Sequence, residues 1–145
     1  MYEGIPILYY GSEQWFAGGA DPNNREPLWN NLDTQSEMYK VIAIANRVRK
    51  ENKIWNEKLV QRYADDVFYC FTRGNVLVAL SRGESCYREI TYHSYSEGTT
   101  LCNAEDSTDC VSVSGGKIGI NLGRDPKIYV VRWYKEGNKK EEKEE

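Results

Sequence analysis

Gly4-Ile5-Pro6-Ile7-Leu8-Tyr9-Tyr10-Gly11 is a continuous apolar run closed at both ends by glycine. It shows no alternation of polar and apolar residues, the pattern of a strand buried on both faces, as in a parallel sheet. Pro6 has no amide donor, which places it among the first residues of that strand. A parallel strand needs neighbours from other βα units, and the rest of the chain offers none. The run therefore predicts a strand whose partners lie outside the sequence, with apolar side chains more exposed than their composition warrants.

Downstream, Gly18-Gly19-Ala20-Asp21-Pro22-Asn23-Asn24-Arg25 is rich in turn formers and reads as an irregular loop. A helix follows. Thr34 and Glu37 have capping-box spacing, and Met38, Val41, Ile42, Ala45 and Val48 recur at helical intervals. Arg47, Arg49 and Lys50 complement the negative end of the helix dipole. Buried strand, long loop and amphipathic helix in that order have the shape of a final βα unit.

The pattern changes after a boundary at Glu51 to Lys53. Val67–Phe71 and Val76–Leu80 are β-rich runs joined by the hairpin signal Thr72-Arg73-Gly74-Asn75. Tyr87 to His93 alternates β-branched and aromatic residues with polar ones. Val111 and Val113 alternate with serines, Gly115-Gly116 supplies a two-residue turn into Ile118, Ile120 and Leu122, and Lys127 to Tyr134 gives a last strand. Short strands at this spacing predict an antiparallel sandwich. The fold class expected is thus α+β: residues 1–52 as a barrel-type βα unit, 53–134 as an all-β sandwich, and 135–145 as a solvated, disordered charged tail.

With 145 residues, 40% hydrophobic and 28% charged, the chain fits a folded globular protein. Its net charge of −3 argues against a nucleic-acid or anionic-membrane partner, each of which needs a basic face. No apolar run nears the roughly 20 residues that cross a bilayer. Met1 to Pro6 lacks the basic flank and cleavage site of a signal peptide, which taken alone points to the cytosol. Eleven Tyr and four Trp suit either a β-rich core or a surface that stacks on sugars.

Four cysteines allow three pairings, match no zinc ligand spacing, and have only His93 as imidazole company. Cys102 and Cys110 flank a short polar loop, Asn103 to Asp109, and are candidates for a disulfide. That bond would put the folded protein in an oxidising compartment, against the missing signal peptide. Cys70 and Cys86 stay unassigned.

Gly4 to Gln14 resembles the eighth barrel strand of the α-amylase family of glycoside hydrolases. The continuation from Ala17 through Asp21-Pro22-Asn23-Asn24-Arg25-Glu26 to Trp29 is similar to the fungal and protist type and is the more specific motif. The helix from Ser36 resembles that family's last barrel helix, and the strands after it its C-terminal sandwich. The resemblance implies endo-hydrolysis of α-1,4-glucosidic bonds in starch or glycogen with retention. The implied partner is an α-glucan. The implied parent is a monomer that is secreted, or lysosomal or vacuolar.

Several residue roles come with the resemblance. Asp21 and Arg25 fall where the family holds a glucose unit on the non-reducing side, away from the scissile bond; both groups can make paired hydrogen bonds to adjacent hydroxyls. Glu13 becomes structural, bonding to backbone and side chains beneath the site. A retaining glycosidase needs two carboxyl groups about 5 Å apart, and Glu13 stands alone. Trp15 and Phe16 offer either a stacking face to a glucan or packing against the barrel rim.

The family's catalytic Asp, Glu and Asp, its Asn-His-Asp motif and its main calcium ligands all belong on earlier strands. No catalytic residue and no metal or cofactor site is therefore expected in this chain, and calcium is expected in the full-length parent. Met1 aligns inside the barrel, so the chain reads as a fragment that begins at an internal Met. Two other readings remain: a fragment of a cyclodextrin glucanotransferase or maltogenic amylase, and a short non-catalytic starch-binding protein.

Overall fold

A computed structural model describes residues 1–30 and 32–132. The charged tail 135–145 and the end of the last expected strand, Trp133 and Tyr134, lie outside the described residues. One helix, α1 (Glu37–Glu51), precedes eight strands: β1 (Leu59–Ala64), β2 (Phe68–Arg73), β3 (Val76–Ser81), β4 (Cys86–Ile90), β5 (Thr100–Asn103), β6 (Cys110–Ser112), β7 (Ile118–Leu122) and β8 (Lys127–Val131). Six of them form one sheet in the order β1-β2-β3-β8-β5-β6, and β4 pairs with β7 in a second. Every pairing is antiparallel.

Alternation along β2, β3 and β8 builds two cores from one sheet. Phe68 and Cys70, Leu77 and Ala79, and Tyr129 meet Ile90, Ile118, Ile120 and Leu122 of the small sheet. Their neighbours Phe71, Val76 and Val78, with Ile128 and Val130, meet Val48 and Ile44 of α1 and Ile54 beyond it. The large sheet is therefore covered on both faces, which explains why Val76 to Ala79 is buried without a break.

The two hairpin turns use glycine where a left-handed backbone is required. Gly74, φ 55°, lies in the two-residue link between β2 and β3. Gly115 and Gly116, φ 59° and 70°, are closed by the Ser114–Lys117 bridge. The second turn joins strands that then part: β6 stays in the large sheet and β7 enters the small one. The strand expected over Tyr87 to His93 runs only from Cys86 to Ile90, because its partner β7 ends opposite Ile90 at Ile118, where the turn begins.

The N-terminal segment departs furthest from expectation. Gly4 to Tyr10 is not a strand. A ladder needs a second chain within hydrogen-bonding distance, and the described residues place none beside it. Its side chains are open to solvent, with Ile5 and Ile7 both 89% exposed and Leu8 and Tyr9 near 60%. Ahead of it, residues 1–3 are docked on the large sheet. Buried Arg73 donates to the carbonyls of Tyr2 (2.8 Å), Met1 (3.4 Å) and Glu57 (3.1 Å). Tyr2 packs edge-on against Phe71, and Glu3 accepts from the Leu59 amide.

Helix α1 starts two residues later than the Thr34–Glu37 box predicts. Asp33 takes its own turn, accepting from the Gln35 amide at 2.7 Å, which uses up residues 34 and 35. Ser36 is the cap instead, and its Oγ accepts from the Tyr39 amide. The apolar face also differs. Ile44 and Val48 seat on the sheet, whereas Val41 stays exposed and Ile42 and Ala45 are half-buried.

Cys102 and Cys110, directly opposite on β5 and β6, form a disulfide, while Cys70 and Cys86 are free. Burial between the sheets pushes the Cys70 thiol up to about 12, so it stays protonated and unreactive at neutral pH.

Within β3, Leu77 is fully buried and Leu80 is 36% exposed. Leu77→Ala should cost about 2–5 kcal/mol in urea unfolding, and Leu80→Ala clearly less. A second test concerns pH. Asp65, in the β1–β2 turn, pairs with Arg88 of β4 at 2.6 Å and accepts from the Val67 and Phe68 amides, so it couples the two sheets. The Arg88 hydrogen bond first, then those amides, hold its carboxyl at about 2, below the ordinary 3.8. A depressed carboxylate contributes stability that is complete above its unfolded value and is lost as pH falls toward the folded one. Stability should therefore drop between about pH 5 and 2, and Asp65→Asn should flatten that part of the profile.

Candidate functional site

Asp21 and Arg25 lie in the long loop between the apolar run and α1. The turn at residues 21–24, closed by the Arg25 amide donating to the Pro22 carbonyl at 3.0 Å, brings the two side chains to one side. Arg25 Nε donates to Asp21 Oδ1 at 3.0 Å. Both remain open, 69% exposed for Asp21 and 65% for Arg25, so most of the donors of one and acceptors of the other are available to a ligand. Such an exposed pair contributes at most about 1 kcal/mol to stability. Between them, Asn24 has an amide oxygen shielded from water with no partner among the described residues.

The loop's shoulders are fixed by contacts that sequence reasoning left out. Gln14 makes a two-way amide clamp on the Asp33 backbone, donating to its carbonyl at 3.1 Å and accepting from its amide at 2.7 Å. Phe16 folds back over Gly11, where φ is 83° and a side-chain carbon would sit 2.1 Å from the ring; only glycine fits there. Trp15 is then turned outward, 62% exposed, in a left-handed conformation at the end of the short 3-10 turn Ser12–Gln14. No local signal announced the clamp, since its two partners lie nineteen residues apart.

Glu13 lies apart from Asp21 and Arg25 in its contacts. Its carbonyl accepts from Ser36 Oγ at 2.7 Å, which ties the strand-end motif to the helix cap. The described contact thus runs through its backbone rather than its carboxylate.

A groove of about 460 Å³ opens between the first half of α1 and the segment before β8, lined in part by Trp15, Met38, Val41, Glu105 and Asp125. Asp21, Arg25 and Glu13 do not line it. Among the described residues, no three His, Cys, Asp or Glu side chains are grouped to hold a metal ion, and no helix is long and apolar enough to cross a membrane.

No family model matches the chain. It is 35% identical over 142 residues to alpha-amylase 2 of Schwanniomyces occidentalis, a match covering 80% of this chain and 27% of that protein. It is 33% identical over 144 residues to the alpha-amylase of Saccharomycopsis fibuligera, covering 91% and 28%. Among solved structures, the alpha-amylase from Malbranchea cinnamomea superposes with a TM-score of 0.81 at 25% identity, covering 90% of this chain and 30% of that one. The chain thus spans less than a third of these relatives. Agreement at about a third of positions along most of its length, carried on the same backbone, places this chain in the α-amylase family.

Proposed function

We propose that the chain is the C-terminal part of an α-amylase that cleaves α-1,4-glucosidic bonds within starch or glycogen, with retention. In this reading residues 1–52 are the last βα unit of a (β/α)8 barrel and 53–134 its β-sandwich. The observation that carries it is the apolar run Ile5 to Tyr10, exposed although no polar residue interrupts it. Such a segment is suited to burial on both faces by neighbouring strands. Ile42 and Ala45 on α1, apolar yet only half-buried, are suited to the same surroundings.

Asp21 and Arg25 hold a glucose unit remote from the reacting bond. Their loop follows the C-terminal end of a barrel strand, the face on which such barrels carry their sites. The carboxylate accepts from, and the guanidinium donates to, vicinal hydroxyls, in place of part of the ion pair they now make. Glu13 braces the helix start and touches no sugar. The nucleophile, the acid/base carboxyl and calcium's main ligands belong to the part of the relatives that this chain does not span. The parent is a monomer and acts outside the cell or in a lysosome or vacuole, where the Cys102–Cys110 disulfide persists.

Purified chain should release no reducing sugar from starch, because a barrel takes about 250 residues and neither oxocarbenium stabilisation nor leaving-group protonation is possible without its carboxylates. Steady release that survives further purification would overturn this. In the full-length enzyme, Asp21→Ala and Arg25→Ala should each cost about 1–3 kcal/mol on long maltodextrins and little on short ones, with kcat and KM both free to move. Equal losses on both lengths would reduce the two residues to loop braces.

A further inference from the structure

The groove beside α1 has a composition that its place in the fold does not require. Glu37, Glu105 and Asp125 line it, as does Lys40, and none of the four side chains is engaged in a hydrogen bond or ion pair with a described residue. Three open acceptors and one open donor thus stand around an exposed indole, Trp15, whose loop is held by the Gln14 clamp and the Phe16–Gly11 fold-back. Apolar Met38, Val41 and Pro126 also line it.

We propose that this groove is a second carbohydrate site, in which Trp15 stacks on the apolar face of a glucose unit while Glu37, Glu105 and Asp125 accept from its hydroxyls. The proposal rests on the glucan reading above and adds a site that neither Asp21 nor Arg25 reaches. An anion is repelled by three carboxylates facing one lysine. A metal ion is ruled out as occupant by spacing, since the acidic side chains are not grouped closely enough to share one. An extended peptide has no strand to lengthen, because β8 beside the groove is already paired on both edges, with β3 and β5. A neutral polyol ring meets every requirement: a flat apolar face for the indole and a perimeter of hydroxyls that mostly donate. The volume, about 460 Å³, lies in the range of small-ligand clefts.

The test is a ¹H–¹⁵N NMR titration of the complete chain with maltoheptaose. Shifts should converge on the Trp15 indole N–H and on the amides around Glu105 and Asp125. Trp15→Ala should weaken binding by roughly tenfold, Trp15→Tyr should retain most of it, and Asp125→Asn should weaken it less than Trp15→Ala. Unchanged dispersion in the variant spectra establishes that each still folds; Trp15 is exposed enough that its removal should not unfold the loop. Shifts confined to residues 21–25 would sink the second site while leaving the proposed function intact. Absence of any maltoheptaose binding, or a Trp15→Ala variant that binds as tightly as the parent, would also sink it. So would a concentration-dependent dimer abolished by Trp15→Ala, which would make the groove a protein contact.

Discussion

Strands β2, β3 and β8 lie in the middle of the large sheet, and each must satisfy two cores at once. Because side chains alternate across a strand, a shift of one residue in any of their registers would send Leu77 or Tyr129 toward the helix and Val78 or Val130 toward the small sheet. Both faces then lose their fit together. This shared constraint fixes where α1 rests, and α1 in turn fixes the loop that carries Asp21 and Arg25. The chain of support is continuous: sheet register sets Val48 and Ile44, the helix sets Ser36, and Ser36 holds the Glu13 carbonyl.

Polar groups complete the attachment where apolar contact runs out. Arg47 donates to the Ala104 carbonyl at 2.8 Å, tying the helix to the loop after β5. Arg73 is buried with three carbonyl acceptors rather than a carboxylate, so its charge is stabilised by dipoles and needs no buried anion. Opposite, Glu97 reaches both amides of the Gly115–Gly116 turn, at 2.8 and 3.0 Å, which holds its carboxyl below the ordinary carboxylate value.

The elements that local chemistry determines were legible in the sequence. Gly74-Asn75 and Gly115-Gly116 announced their turns, β-rich or alternating runs announced every strand except β1 and β5, and the polar loop between Cys102 and Cys110 suggested the disulfide that is present. What could not be read depended on partners distant in sequence. Nothing local says that β6 and β7 part company after a tight turn, since that follows from which core has room for Ile118 and Ile120. Ser36 displaced the expected cap because Asp33, clamped by Gln14 from nineteen residues upstream, had already fixed the preceding turn. Composition alone identified Ile5 to Tyr10 as strand material, but hydrogen bonding to a neighbour is what makes a strand. Asp21 and Arg25 were legible only through resemblance, and of the groove only the stacking face of Trp15 was, because its lining is assembled from four separate segments.

The large sheet ends at β1 on one side and β6 on the other. Strand β1 is broken by a bulge between Gln61 and Tyr63, with Arg62 turned to Thr72 and to the ring of Tyr92. Strand β6 is only three residues long and is cross-linked to its neighbour. Neither margin offers the flat, unoccupied hydrogen-bonding row on which another strand could grow. An adhesive apolar ribbon at Ile5 to Tyr10 therefore coexists with a sheet whose own borders are poor templates for it. Apolar stickiness and open hydrogen-bonding edges, the two ingredients of strand-to-strand aggregation, are thus kept on separate parts of the molecule.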